Sequence, residues 1–132
     1  METNDADTKN SDFIKEEKFW KQCDRINEET FKLEADSGDI LLFKGRSFSA
    51  KMTRRLTNSE YDHVGMVLTF IDDEEVYILE ATSDGVHIIR WSELMSFKES
   101  SYSKIVWRKL YWNRDNTFWE ILQTFVEAVE NK

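Results

Sequence analysis

Hydrophobic positions follow a helical spacing at both ends of the chain and alternate in the middle. From residue 11 to residue 34 apolar residues recur every three or four positions, which predicts an N-terminal amphipathic helix. A second helix is predicted at the C-terminus, where Thr117 and Glu120 have the spacing of a capping box. Residues 1–10 lack large apolar side chains beyond the initial methionine and predict a flexible acidic tail. The apolar stripe of the C-terminal helix comprises Phe118, Ile121, Leu122, Phe125 and Val129.

Short apolar runs bounded by turn residues occupy the middle of the chain and predict strands. Ser47 is placed to cap a short inserted helix, whose Phe48, Met52 and Leu56 are expected to face inward. Another short helix is predicted to begin at Ser92. Together these elements predict an α+β fold, with a small, mostly antiparallel sheet or half-barrel between the two terminal helices. The predicted strands cover residues 40–43, 63–70, 75–81, 86–91 and 104–110.

Composition narrows the possible classes of function. The chain has 132 residues, enough for one core, and its net charge of −8 argues against a nucleic-acid partner. No apolar run approaches the ~20 residues that span a bilayer. Neither a phosphate-binding glycine loop nor a metal-ligand spacing occurs, so no cofactor or metal is expected. The single cysteine allows no internal disulfide, which makes the cytoplasm the expected compartment.

The central hairpin brings a carboxylate and an imidazole within reach of each other. A tight turn at residues 72–73 would pair Phe70 with Glu75, and this register places Glu80 opposite Gly65. His63 lies two residues before that glycine, so its side chain shares a face with the carboxylate. Diagonal neighbours of this kind are about 7–8 Å apart at the backbone, a distance that these two side chains can bridge.

A carboxylate bound to one imidazole nitrogen orients the ring and raises the basicity of the other nitrogen. His63 and Glu80 are therefore the candidate catalytic residues, with the histidine as general base and the glutamate as the residue that orients it. The alternative is a structural hydrogen bond between two strands. A register shift of one residue would turn Glu80 to the opposite face.

Three segments in order resemble the permuted papain-like cysteine amidohydrolases of the NlpC type. They are SGDILLF at 37–43, YDHVGMV at 61–67 and VYILEAT at 76–82, and the resemblance extends over about residues 37–110. It implies a permuted papain-like domain over residues 37–132, with His63 as the base and Glu80 as its orienting residue. It also implies a small amide, a peptide or a lipid ester as substrate.

The nucleophile of that family is missing from its expected place. It is a cysteine at the start of a helix after the third motif, whereas the only cysteine here is Cys23. Cys23 falls on the apolar stripe of the predicted N-terminal helix, so we expect it to be buried and unreactive. The chain is thus predicted to be a fragment or an inactive homologue of a cysteine hydrolase, and whether it is an enzyme stays open. The alternative is a non-catalytic binding or interaction module on the same fold.

Three weaker features complete the set of candidates. His87 alternates with apolar neighbours in a predicted strand and is expected to be structural, and Asp62 is expected to be a turn residue. A basic cluster could receive an anionic substrate or a lipid head group, although the solvated outer face of a helix is the simpler interpretation. The cluster consists of Lys44, Arg46, Lys51, Arg54 and Arg55.

Overall fold

The computed structural model describes residues 26–98, 101–130 and 132. The chain divides into two compact units, residues 1–33 and residues 34–132. Helix α1 spans Glu28–Glu34, and Asn27 caps it by accepting the backbone N–H of Thr30 at 2.8 Å. The tail predicted over residues 1–10, the predicted helix before residue 26 and Cys23 all lie outside the described residues.

The second unit is α+β, as the hydrophobic pattern predicts. Its five strands form one antiparallel sheet in the order β4-β3-β2-β1-β5. Every predicted strand is present, and each of its ends falls within two residues of the predicted one. The strands are β1 (Ile40–Gly45), β2 (His63–Phe70), β3 (Asp73–Thr82), β4 (Gly85–Arg90) and β5 (Tyr102–Arg108). The helices are α2 (Phe48–Thr57), α3 (Trp91–Lys98) and α4 (Asn116–Val129).

One face of the sheet carries the core of this unit. Alternate residues of the three central strands point to it and are fully buried, among them Phe43, Val67 and Ile78. Helix α3 packs against β3 and β4 and adds the buried side chain of Leu94. Because His63 pairs with Phe43 across β1 and β2, the candidate base points to the same face as this core.

The hairpin of β2 and β3 has the predicted register at Glu80 but not the predicted turn. Gly65 pairs with Glu80, as expected, whereas Phe70 pairs with Asp73 and not with Glu75. A bulge near the end of β2 shifts the register between these two points. The expected pairing at the turn is therefore wrong, and the bulge restores the register that brings Gly65 and Glu80 together.

Helix α2 packs against the rest of the domain with the side opposite to the one predicted, and its apolar stripe faces solvent. Phe48 and Leu56 are 78% and 82% exposed, and Met52 is 36% exposed, so the prediction that these three side chains face inward is wrong. The buried residue of this helix is Ala50. The reason is that α2 is attached through Ala50 and Arg54, which lie on the side of the helix away from the apolar stripe.

The N-terminal caps of α2 and α4 test two predictions made from the local sequence, and one of the two is confirmed. Ser47 caps α2 as predicted, because its hydroxyl accepts a backbone N–H three residues along. Helix α4 instead begins one residue before Thr117, and its cap is Asp115, whose carboxylate accepts the backbone N–H of Phe118 at 2.9 Å. The capping box predicted for Thr117 and Glu120 is therefore wrong, since a stronger capping carboxylate precedes it.

A buried carboxylate ties the start of β1 to the segment after β5. Asp39 is 1% exposed, and it accepts Nε1–H of Trp107 at 2.9 Å and the backbone N–H of Leu110 at 2.8 Å. Arg114 donates a further bond from Nη2 to the same carboxylate at 3.0 Å. The negative charge of Asp39 is thus paired and hydrogen-bonded, which is the condition for burying it.

Replacing Asp39 by alanine should lower the free energy of unfolding by about 3–5 kcal/mol, because the cation and the donors around it lose their acceptor. Urea denaturation followed by tryptophan fluorescence measures this loss. Glu74, an exposed residue of β3, offers a control, since Glu74→Ala should change the free energy of unfolding by less than about 0.5 kcal/mol. Equal losses in the two variants would contradict a structural role for Asp39.

Candidate functional site

The predicted contact between His63 and Glu80 is present. Nε2 of His63 lies 2.8 Å from Oε2 of Glu80, so the imidazole and the carboxylate are within hydrogen-bond distance. Strand β2 begins at the histidine, and the pairing of Gly65 with Glu80 makes the two side chains diagonal neighbours on the core face. The carboxylate side chain is 1% exposed, whereas the imidazole is 22% exposed.

His87 also contacts the same carboxylate, a contact that the apolar alternation around this residue does not predict. It pairs with Glu80 across β3 and β4, and its Nε2 lies 3.2 Å from Oε1 of Glu80. The turn between the strands lies at residues 83–84 and pairs Thr82 with Gly85, and counting from that pair places Glu80 opposite His87. Each carboxylate oxygen therefore has one imidazole beside it, and His63, Glu80 and His87 form a cluster across three adjacent strands.

The carboxylate determines which nitrogen of His63 can act as a base. A carboxylate only accepts, so both imidazoles donate Nε2–H to Glu80, and this assigns the lone pair of neutral His63 to Nδ1. Within the part of the chain that the structure describes, Nδ1 of His63 has no hydrogen-bond partner. The arrangement can therefore take up a proton at Nδ1 while Glu80 stabilises the imidazolium that results.

Close packing surrounds this cluster on the core face. The ring of His63 lies 5.3 Å from the ring of Phe43, which in turn lies 4.8 Å from the ring of Tyr102. A side chain at Gly65 would have no space, because an added Cβ would come within 2.6 Å of a methyl group of Ile78. The glycine therefore allows the apolar floor of the site to pack closely against β2.

Asp62 has a larger structural role than that of a turn residue. Its Oδ1 accepts the backbone N–H of Gly45 at 2.8 Å and Nη1–H of Arg54 at 2.6 Å. The residue next to the candidate base thereby anchors α2 to the end of β1. This contact pairs Arg54 with a carboxylate, and its side chain is only 13% exposed. Exposed members of the predicted basic cluster are Arg46, Lys51 and Arg55.

The described residues offer neither a metal site nor a membrane-spanning helix. These residues contain no group of three or more His, Cys, Asp or Glu that could hold a metal ion. In the same part of the chain, no helix combines the length and the apolar character needed to cross a membrane. Comparison with protein-family models and with curated proteins found no match to this chain. The candidate site is therefore defined by the geometry of its residues and not by similarity to a known protein.

We expect two downfield imidazole N–H resonances in the NMR spectrum of the native protein, because His63 and His87 both donate to one buried carboxylate. Glu80→Gln should retain at most one of them, since an amide offers a single acceptor oxygen. His87→Phe is the matched control and should remove the resonance of His87 alone. Two unchanged resonances in Glu80→Gln would contradict the shared acceptor.

The pKa of Tyr102 is sensitive to the negative charges of the carboxylates at and beside the candidate site. Burial raises the pKa of Tyr102 above its usual value of 10.0, and the charges of Glu80 and Asp62 raise the pKa further. The folded protein therefore holds the phenol proton more tightly than the unfolded chain does. Its contribution to stability is complete below pH 10.0 and is lost as the pH rises above that value.

Removing one of these charges should shift the titration of Tyr102. Glu80→Gln is expected to bring the pKa of Tyr102 closer to 10.0, as followed by the NMR signals of its ring over an alkaline pH series. Glu74→Gln removes the same charge from an exposed position of β3 and should leave the titration unchanged. If Tyr102 titrated in both variants as it does in the native protein, the charge of Glu80 would not be a cause of its raised pKa.

Proposed function

We propose that residues 37–132 form a permuted papain-like domain of the NlpC type, in which His63 is the general base and Glu80 orients it. The observation that carries the proposal is the 2.8 Å bond from Nε2 of His63 to a carboxylate that is 1% exposed. This bond leaves Nδ1 as the basic nitrogen. It also supplies two of the three functions of a thiol-hydrolase site, the base and the group that orients the base.

The reaction of such a site is acyl transfer through a thiolate. Nδ1 of His63 takes the proton of a thiol, and the sulfur forms a bond to the carbonyl carbon of an amide or ester. The bond to the amine or alcohol then breaks, and this leaving group takes the proton from the imidazolium. Water, deprotonated by the same nitrogen, attacks the thioester, and its sulfur leaves as the thiol.

The thiol is the third function of such a site, and the described residues contain no cysteine. The single cysteine, Cys23, lies outside the described residues. We therefore propose a fragment or an inactive homologue of a cysteine hydrolase, acting on a small amide, a peptide or a lipid ester when a nucleophile is supplied. The proposed compartment is the cytoplasm, because a chain with one cysteine forms no internal disulfide.

His87 supports the same proposal as a positioning residue. Its bond to Oε1 of Glu80 holds the carboxylate in the plane that it presents to His63. The competing function is a non-catalytic binding or interaction module, in which the three side chains only join β2, β3 and β4. Because both functions use the same contacts, the test has to measure proton transfer and not stability alone.

Without an added nucleophile, the chain should show no thiol-hydrolase turnover. An acyl-enzyme cannot form when the base has no thiol beside it. Generic amide and thioester substrates are to be tested with the native chain, Cys23→Ser and His63→Ala, and all three should be inactive. Activity that both substitutions abolish would identify Cys23 as the nucleophile and would contradict the permuted arrangement.

The base is tested by supplying the thiol in solution. The native chain should accelerate thiolysis of a small thioester by added mercaptoethanol about ten-fold relative to His63→Ala, less than a fully positioned base achieves. Lys109→Ala, which alters an exposed residue beyond β5, is the control and should keep the native rate. Equal rates in all three proteins would reject the base and favour the binding module.

A further inference from the structure

Helix α2 exposes a continuous apolar stripe to solvent. Phe48, Met52 and Leu56 are spaced four residues apart, so they lie on one side of the helix. Two of them are more than three-quarters exposed, at 78% and 82%. Scattered apolar residues on a surface are ordinary, whereas three large ones in a row on one helix indicate an interaction surface.

The attachment of α2 to the sheet holds this stripe outward. At 100° per residue, Ala50 and Arg54 lie about 180° from the centre of the stripe. Ala50 is buried, and Arg54 donates to the carboxylate of Asp62 at 2.6 Å and to the carbonyl of Gly45 at 2.8 Å. Turning the stripe inward would carry Arg54 out to solvent, break this ion pair and leave the carboxylate of Asp62, which is 11% exposed, without its cation. The exposed apolar face is therefore part of the folded structure.

Positive charge borders the stripe on one side. Lys51 and Arg55 are both exposed, and on the helical wheel they lie within about 60° of Phe48. Residues 40–59 contain no acidic side chain, although the whole chain has a net charge of −8. An apolar stripe bordered by lysine and arginine is the pattern of helices that lie in the interface of an anionic membrane.

We propose that α2 docks this protein on an anionic lipid surface. Phe48, Met52 and Leu56 enter the boundary between the head groups and the acyl chains, while Lys51 and Arg55 contact the negative head groups. The helix has 10 residues, so docking is reversible and weakens as salt is added. This inference is independent of the proposed hydrolase, since it uses none of the residues of the histidine–glutamate cluster.

The charges favour a lipid surface over a second copy of the chain. A twofold-symmetric dimer through α2 would place the same patch against itself and bring Lys51 and Arg55 close to their own symmetry mates. Like charges in such an interface oppose association. An anionic bilayer, in contrast, satisfies the apolar stripe and the basic border together.

Vesicle co-sedimentation of the full chain tests the proposal. Two vesicle preparations are compared at low salt, pure phosphatidylcholine and an equimolar mixture of phosphatidylserine and phosphatidylcholine. We expect the partition coefficient to be at least about ten-fold higher on the mixed vesicles and to fall as salt is added. Equal partition on the two preparations would overturn the proposed role of charge, and no partition would overturn the proposal altogether.

Paired variants separate the two components of docking. Lys51→Gln with Arg55→Gln should lower partition on the mixed vesicles about 25-fold, at roughly five-fold for each basic side chain. Phe48→Ser with Leu56→Gln should lower it at least about ten-fold while leaving both bases in place. All four side chains are exposed, so thermal unfolding of both variants should match that of the native chain.

The control variant removes the same amount of positive charge at a position away from α2. Arg108→Gln with Lys109→Gln acts at the end of β5 that pairs with the start of β1, whereas α2 follows the end of β1. This variant should keep native partition, and an equal loss would show attraction without a defined site. Concentration-dependent dimers that Leu56→Gln dissolves, in a chain that does not bind vesicles, would assign the stripe to a second copy.

Discussion

Burial of the Glu80 carboxylate is the constraint on which the central strands depend. An ionised carboxylate on an apolar face is unstable unless it is paired and hydrogen-bonded. Two imidazoles beside it come from the neighbouring strands, His63 from β2 and His87 from β4. Sliding either strand by one residue would move its imidazole to the opposite face. The contacts that form the candidate site are therefore also the contacts that keep three strands in register.

Asp39 is a second carboxylate whose burial depends on charge pairing and hydrogen bonds. It directly precedes β1, on the side of the sheet where β1 pairs with β5. It too is an acid that is almost fully buried, and its partners come from β5 and from the segment that leads to α4. The two carboxylates differ in what surrounds them. Asp39 is satisfied by donors that keep their protons, including Arg114, whereas Glu80 has two imidazoles beside it, and an imidazole ring can both accept and donate a proton. Only the second arrangement is suited to acid–base chemistry.

The residue that anchors α2 directly precedes the candidate base in the chain. Asp62 anchors Arg54 of α2, and the next residue in the chain is His63. Surface docking through α2 would thus hold the domain by an element that is attached beside the base. Of the substrate classes that the resemblance implies, a lipid ester is the one that agrees with both proposals, because it would be presented at the same anionic surface.

The sequence by itself determined the strands and the α+β class, because alternation along a strand is a local property. The shared face of His63 and Glu80 was predicted from a turn pairing that does not form, so the bulge in the hairpin decided it. The sequence also identified the cap of α2, which is a contact between residues three apart. What needed the tertiary structure was the bulge between Gly65 and Phe70, the second imidazole on Glu80, and the cap at Asp115.

The orientation of α2 shows most clearly why the rest could not be predicted. Its apolar spacing favours an inward stripe, and the pattern alone contains nothing against that interpretation. The outcome is decided by Arg54, whose partner Asp62 is eight positions away in sequence and on the far side of a turn. A partly buried ion pair overrides a hydrophobic pattern here, since turning the stripe inward would carry Arg54 to solvent and leave the Asp62 carboxylate without its cation. Only the folded chain brings those two charges together.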